Sequence, residues 1–175
     1  MTSYSYPSVV VFDLDYTLWP FWCDYHVDPP FSKVTDSQLK DSSGYKVALC
    51  PDVESIIKEL VENNVTIISA SRTPTPNIAK KILSMLKIDG KPMIEYFDSL
   101  QWGEGSKIRH ITRAVEELGL QKELKARSMI LFDDESRNKD VESIGCHFAF
   151  IEDYKRGLTR PIFENALKKW TAEQK

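Results

Sequence analysis

The sequence predicts an α/β protein, a Rossmann-like parallel β-sheet with helices on both faces. Short apolar segments alternate along the chain with stretches that repeat apolar residues at helical spacing, which is the pattern of consecutive βαβ units. Polar or acidic residues follow the main apolar segments, as expected where parallel strands end at a ligand-binding edge. The length of 175 residues fits a single domain spanning residues 1–175.

The strands and helices can be placed in order along the chain. The first strand, VVVF, is a continuous apolar run, which favours burial on both faces of the sheet. The predicted strands cover residues 9–12, 65–70, 93–97, 128–132 and 147–151. Predicted helices begin at Pro51, after Thr73, at Ser106 and near Ser136, and a last helix buries Phe163, Ala166, Leu167 and Trp170. The first helix places Val53, Ile56, Ile57, Leu60 and Val61 on one face.

One segment does not fit the alternation. Residues 19–49 are too many for a loop between a strand and a helix. They carry a turn sequence, DSSG, at residues 41–44. We therefore expect a small cap insertion, a β-hairpin, over the carboxyl edge of the sheet. Its candidates to face a substrate are Trp19, Phe21, Trp22, Tyr25 and Phe31, although packing of the insertion against the domain would also explain each ring.

Composition excludes several classes of protein. The formal net charge of −3 gives no basic surface for nucleic acid or an anionic membrane. No apolar run is long enough to span a bilayer, and the first residues lack the pattern of a signal peptide. The three cysteines are widely spaced without a CxxC pair, which favours reduced thiols over disulfides or zinc. We expect a monomer in the cytoplasm, with the nucleus also open.

The first chemical signal is the string FDLDYT at the end of the first strand. Asp13 and Asp15 can both reach the mouth of the sheet, and phosphoryl transfer through a carboxylate needs a nucleophile and a separate proton donor. Thr17 is a candidate to orient Asp15 through a hydrogen bond. Taken alone, the same string also suits a solvated strand end.

The second signal is the acidic pair that ends the fourth strand. Asp133 and Asp134, with Asn138 shortly after, form with Asp13 a hard, oxygen-rich site suited to Mg²⁺. Adjacent buried carboxylates repel one another unless a cation or hydrogen bonds hold them. The alternative is an acidic helix start that only complements the helix dipole.

Two further signals supply groups for an anion. Ser71 closes the second strand and offers a hydroxyl to a phosphate oxygen, while Arg72 could bind another acceptor. Lys107 follows Gly105 and Ser106 at a helix start, where backbone amides and an ammonium suit an anion. All four signals fall at strand ends or helix starts of one sheet edge, so together they form a complete set for phosphoryl transfer.

These motifs resemble those of the haloacid dehalogenase superfamily. Asp13 and Asp15, Ser71, Lys107 and the late acidic pair match its motifs in order. The stretches FDLDYTLWPFWCDYHVDPPF, SASRT, GSK and FDDESRN resemble more closely the eukaryotic magnesium-dependent phosphatase family.

The resemblance implies a sheet order of 5-4-1-2-3, a minimal cap and activity on phosphotyrosine-like or sugar phosphates. It further implies that Asp13, the backbone carbonyl of Asp15, and Asp134 hold Mg²⁺. Asn138 stands where many superfamily members have another carboxylate. The expected substrate is a phosphorylated small molecule or phosphoprotein.

Other functions remain open at this point. A dehalogenase uses an aspartate nucleophile but needs neither Asp15 nor Mg²⁺. A receiver domain has similar residues but carries its acidic pair before its phosphorylated aspartate, the reverse of the order here. A phosphotransferase or phosphomutase, or a phospholigand-binding module without turnover, would retain the same motifs. The three histidines show no metal-ligand spacing and are assigned no role.

Overall fold

A computed structural model describes residues 3–174 of the chain. The strands are β1 (Val9–Phe12), β2 (Ser32–Thr35), β3 (Gln38–Lys40), β4 (Lys46–Ala48), β5 (Thr66–Ser71), β6 (Lys87–Ile88), β7 (Lys91–Pro92), β8 (Ser99–Trp102), β9 (Met129–Asp133) and β10 (His147–Phe150). The α-helices are α1 (Val53–Glu62), α2 (Pro76–Met85), α3 (Lys107–Leu118), α4 (Gln121–Lys125) and α5 (Arg160–Glu173).

Five strands form the central parallel sheet in the order β10-β9-β1-β5-β8. Numbered along the chain, these strands have the order 5-4-1-2-3 that the resemblance implied. The middle strand β1 pairs on both sides, and Phe12 lies opposite Ser69 of β5 and Phe132 of β9. The carboxyl ends of the three innermost strands therefore meet at one edge.

Helices cover both faces of the sheet, as predicted. Side chains of a strand alternate between faces, so Val10 and Phe12 pack with α1, α2 and α5, whereas Val9 and Val11 pack with α3. All four residues of β1 are inaccessible to solvent. This double burial explains why β1 reads in the sequence as a continuous apolar run.

The insertion is an antiparallel sheet of three strands, β2-β3-β4, where the sequence predicted a single hairpin. The predicted turn is present between β3 and β4. Oδ1 of Asp41 accepts hydrogen bonds from the amides of Ser43 (2.9 Å) and Tyr45 (2.7 Å). The role of this segment as a cap stays a prediction.

Most of the insertion's aromatic rings do not face a substrate. Trp19 and Phe21 are 0% and 1% exposed and stack on each other with ring centroids 5.5 Å apart. Phe31 is also buried. Their assignment as substrate-facing residues is wrong, because the rings join the hydrophobic core beneath the insertion. Trp22 and Tyr25 are exposed and remain candidates to face a substrate.

Two local predictions were also wrong. Residues 93–97 do not form the third strand: Met93–Tyr96 is a 3₁₀ helix. Pairing with β5 begins only at Asp98, which donates its amide to the Ile67 carbonyl (2.8 Å) and accepts the Ile67 amide on Oδ2 (2.9 Å). The helix predicted near Ser136, in contrast, is present over Ser136–Ile144 as a 3₁₀ helix. Val61 is 43% exposed, since it lies at the edge of the apolar face of α1.

Within residues 3–174, the longest helix, α5, has fourteen residues, and none of the helices there is long and apolar enough to cross a bilayer.

Candidate active site

The candidate site lies where β1, β5 and β9 end. Asp13 follows the last residue of β1, Ser71 is the last residue of β5, and Asp133 is the last residue of β9. Because neighbouring parallel strands run in register, their final side chains come together at the carboxyl edge of the sheet. The convergence expected of the sequence motifs is therefore present.

Lys107 connects these strand ends from the other side. It is the first residue of α3, whose N-cap Ser106 accepts a hydrogen bond from the Arg109 amide. Its ammonium lies 3.0 Å from Oδ1 of Asp13 and 3.2 Å from Oδ2 of Asp133, and it donates to the Ala70 carbonyl. Burial lowers the pKa of this ammonium, but the two carboxylates outweigh burial and hold the pKa above its usual value. Lys107 is therefore a buried, charged ammonium.

The second oxygen of Asp13 is held by Thr17, which donates from Oγ1 to Oδ2 at 3.2 Å. The chain turns back at Tyr16, whose φ of 58° lies in the left-handed region, and the Thr17 amide donates to the Leu14 carbonyl (3.1 Å). This turn returns Thr17 to the side of Asp13. The prediction that Thr17 orients Asp15 is wrong, because its hydroxyl contacts the other aspartate.

Asp15 is oriented by the insertion instead. Its Oδ1 accepts the indole N–H of Trp19 (2.8 Å) and the amide of Cys23 (3.1 Å). Burial raises the pKa of Asp15, and these two hydrogen bonds oppose the shift in part. The expected direction, toward a protonated acid, is therefore present. Its main cause is burial and not repulsion from neighbouring carboxylates.

Three carboxylates form a cluster suited to a divalent ion. Asp13, Asp133 and Asp134 each offer an oxygen, and these oxygens lie within 4.8 Å of one another. Burial and the charge of Asp13 raise the pKa of Asp134 to about 9, because carboxylates this close repel one another without a cation. Hard oxygen ligands in this number fit Mg²⁺.

The three carboxylates differ in what already binds them. Oδ2 of Asp133 accepts hydrogen bonds from Lys107 and from Asn138 Nδ2 (2.9 Å), and its Oδ1 accepts the Glu135 amide (2.9 Å). Asp133 thus has donors on both oxygens, which suits the supporting role predicted for it. Asp13 also has a donor on each oxygen, Lys107 on Oδ1 and Thr17 on Oδ2, so the choice of Asp13 and Asp134 as the metal ligands of the cluster stays a prediction. The Asp15 carbonyl as a third ligand stays a prediction.

The remaining predicted residues line the same edge. Ser71 is 2% exposed and accepts the Thr73 amide on Oγ (3.2 Å), which leaves its own hydroxyl proton for an acceptor. Arg72 donates from Nη2 to Oδ1 of Asn138, and its role in phosphate binding stays a prediction. Asn138 is fully buried between Arg72 and Asp133.

Sequence reasoning missed several residues near the site. Tyr16 contacts Trp22 and Tyr154 edge to face, with ring centroids 5.4 Å and 5.0 Å apart. Tyr154 follows β10 at the same sheet edge, and its position after a predicted strand could have indicated that it lies near the site. His110 lies one turn after Lys107, fully buried, and its Nε2 contacts the Gly103 carbonyl at 2.9 Å. His110 lies on the apolar face of α3, and nothing in the sequence around it indicates this contact.

A parallel sheet in this order, with an aspartate motif after its central strand, agrees with a haloacid dehalogenase-like hydrolase. A Schizosaccharomyces pombe protein of that superfamily is 43% identical over 86% of this chain and 88% of its own length, which shows the class. Solved structures agree at the level of the fold. A superfamily hydrolase from Ehrlichia chaffeensis aligns with a TM-score of 0.60 and 14% identity over 99% of this chain and 98% of that one. A phosphatase-domain structure of a Bacteroides fragilis protein, complexed with Mg, aligns with a TM-score of 0.60 and 14% identity over 93% of this chain and 40% of that one.

The chain belongs to the acid phosphatase family, whose sequence profile matches residues 5–173. A Saccharomyces cerevisiae protein named as a magnesium-dependent phosphatase is 38% identical over 93% of this chain and 96% of its own length. Human magnesium-dependent phosphatase 1 is 41% identical over 79% of this chain and 74% of its own length. The chain is therefore a phosphatase, and the resemblance found in the sequence is confirmed. These names also agree with the magnesium cofactor expected from the sequence.

Proposed function

We propose that the protein hydrolyses phosphate monoesters with Mg²⁺ through a phosphorylated Asp13. The observation that carries the proposal is the different environment of two aspartates two positions apart. Asp13 pairs with the Lys107 ammonium at 3.0 Å, whereas Asp15 is half-buried with neutral donors only on Oδ1. The first environment favours an anionic nucleophile and the second a proton donor.

In the first step an oxygen of Asp13 attacks phosphorus in line, and the bond from phosphorus to the leaving oxygen breaks. Asp15 gives its proton to that oxygen, so the product leaves as an alcohol or phenol. In the second step water attacks phosphorus and gives a proton to Asp15. The acyl-phosphate bond breaks, inorganic phosphate leaves and the Asp13 carboxylate is restored.

Other side chains of the site bind the phosphoryl group. Ser71 would donate its hydroxyl to a phosphoryl oxygen, and Lys107 would balance negative charge between Asp13 and the phosphate. Asp13 and Asp134 would hold Mg²⁺, together with the Asp15 carbonyl. When bound, the ion offsets repulsion between the anionic nucleophile and the phosphate.

The proposed substrates are phosphotyrosine-like or sugar phosphates, as phosphorylated small molecules or on proteins. The exposed rings of Trp22 and Tyr25 border the segment that holds Asp15, because the Cys23 amide between them donates to its carboxylate. A leaving group protonated by Asp15 would therefore be close to Trp22.

The test is to trap the covalent intermediate. Purified protein is mixed with a labelled aryl phosphate and Mg²⁺, quenched in acid and digested. We expect a label that neutral hydroxylamine removes, located on Asp13 by mass spectrometry, and more of it in Asp15→Asn. The Asp13→Asn control should carry none. A label on Ser, His or Cys would overturn the mechanism, and tight phosphate binding without turnover would indicate a binding module.

A further inference from the structure

Four charged or amide side chains form a continuous chain of hydrogen bonds behind the phosphate site. Arg72 donates from Nη2 to Oδ1 of Asn138. Asn138 donates from Nδ2 to Oδ2 of Asp133 at 2.9 Å, and the same oxygen lies 3.2 Å from the Lys107 ammonium. The chain joins the residue after β5 to the 3₁₀ helix Ser136–Ile144 that follows β9.

The amide of Asn138 can take only one orientation in this chain. Asn138 is fully buried, so both ends of its amide need partners. The guanidinium of Arg72 faces its oxygen and the carboxylate of Asp133 faces its NH₂ group. A flipped amide would place the oxygen against the carboxylate and the NH₂ group against the guanidinium, and both contacts would repel. Arg72 therefore fixes which end of Asn138 meets Asp133.

We propose that Arg72 acts through Asn138 as a positioning residue for Lys107, and not primarily as a ligand of the substrate phosphate. Asp133 shares one oxygen between Asn138 and Lys107. The donor from Asn138 keeps that carboxylate in place, and the carboxylate keeps the ammonium within 3.0 Å of Asp13. The inference rests on the proposed function, since it explains how the Lys107 ammonium is held beside the proposed nucleophile Asp13.

The same geometry explains why a neutral side chain stands at position 138. A carboxylate there would still accept from Arg72 but could not donate to Asp133. It would set a second carboxylate against Oδ2 of Asp133, where the Asn138 donor now lies at 2.9 Å, and the repulsion would move Asp133 away from Lys107. Asn138 thus separates the positive charge of Arg72 from the negative charge of Asp133 without adding a charge of its own.

The experiment is a double-mutant cycle with Arg72→Ala, Asn138→Ala and the combined variant, assayed with an aryl phosphate at saturating Mg²⁺. Loss of a partner that orients a reactive group typically costs roughly 10–100-fold, and we expect each single variant to lose that much in kcat. Because the two residues act as one unit, the kcat of the combined variant should be no lower than that of the less active single variant. Independent effects would instead multiply the two losses in kcat. The isosteric Asn138→Asp should lose at least as much as Asn138→Ala.

A second measurement separates positioning from phosphate binding. Nε of Arg72 is buried without a hydrogen-bond partner among the described residues, so direct contact with the phosphate is the rival role. That role predicts weaker inhibition by inorganic phosphate and a higher KM in Arg72→Ala, with kcat nearly unchanged. A positioning role predicts that Arg72→Ala loses kcat by the factor given above. The inhibition constant for inorganic phosphate should then stay within about 3-fold of the wild-type value, which is a smaller change than the loss in kcat.

Controls keep the outcomes distinct. Arg113→Ala removes an exposed arginine of α3 and should leave kcat unchanged, and thermal unfolding confirms that each variant is folded. Multiplicative losses in the cycle, or an effect confined to KM and phosphate inhibition, would overturn the inference while wild-type turnover stands. Failure of wild-type protein to form a phosphorylated Asp13 would instead overturn the proposed function.

Discussion

The ammonium of Lys107 lies 3.0 Å from Oδ1 of Asp13, although the two residues are 94 positions apart in the chain. Lys107 is 1% exposed, and its other contacts are Oδ2 of Asp133 and the Ala70 carbonyl. One cation therefore joins the ends of β1, β5 and β9. This arrangement gives Lys107 a structural role and supports the catalytic role proposed for it.

Replacing Lys107 by Ala should impair catalysis and folding stability together. Loss of one electrostatic partner of the transition state commonly costs on the order of 10²–10³ in kcat. Removing one partner of a buried ion pair costs roughly 3–5 kcal/mol in the free energy of unfolding. Steady-state kinetics and urea unfolding measure the two effects, with Lys122→Ala, an exposed lysine, as the control. A kcat/KM near wild type would refute the assignment.

Asp15→Asn should discriminate between leaving groups. In the proposed mechanism this half-buried acid supplies a proton to the departing oxygen, a contribution of roughly 10²–10⁴ in rate. Alkyl phosphates need that proton, whereas an aryl oxygen leaves readily without it, so the loss should be much larger for alkyl substrates. The ratio of kcat/KM for an alkyl and an aryl phosphate measures this. Asp28→Asn, an exposed acid of the same insertion, should leave the ratio unchanged, and equal losses in Asp15→Asn would contradict the acid role.

Asp134→Ala should weaken the magnesium site. It removes one of the three clustered carboxylates and a proposed ligand of the ion, so the Mg²⁺ concentration at half-maximal activity should rise by at least roughly 10-fold. Activity of the wild type should vanish with a chelator and return with added Mg²⁺. Titration of activity with Mg²⁺ checks both, beside Asp140→Ala, which alters an exposed acid of the same segment. Full turnover in excess chelator would exclude the metal site.

His110 should make the folded state sensitive to mild acid. Burial, with a smaller effect of the Lys107 charge, lowers the pKa of His110 to about 4 from 6.5. Between these values the unfolded chain binds a proton that the folded protein does not. The free energy of unfolding therefore decreases as the pH falls through this range, by up to about 1.4 kcal/mol per pH unit.

His110→Gln tests this dependence, because the glutamine amide retains a donor for the Gly103 carbonyl but cannot titrate. Urea unfolding at several pH values from 4 to 6.5 should show a shallower slope in His110→Gln than in wild type. Thr112→Gln, an exposed change on the same helix, should keep the wild-type slope. An unchanged slope in His110→Gln would show that the histidine is protonated in the folded state.

The sheet and its chemical groups were predictable because their signals are local. A buried parallel strand needs a continuous apolar run, as in β1, and the polar residues after it mark the sheet edge. The third strand was misplaced because MIEYF has strand-like composition, while the pairing that decides it starts at Asp98 on Ile67. Pairing between distant segments leaves no periodic pattern in the sequence.

By itself the sequence determined the fold class, the family and which residue types gather at the carboxyl edge, since motif order and apolar periodicity are properties of the chain alone. Only the tertiary structure decided which side chains meet. In that structure the Thr17 hydroxyl donates to Asp13, the Trp19 indole N–H donates to Asp15, and the Arg72 guanidinium donates to Asn138. The reason is physical: a buried polar atom takes the nearest partner that satisfies it, and nearness across loops and strands is fixed by packing.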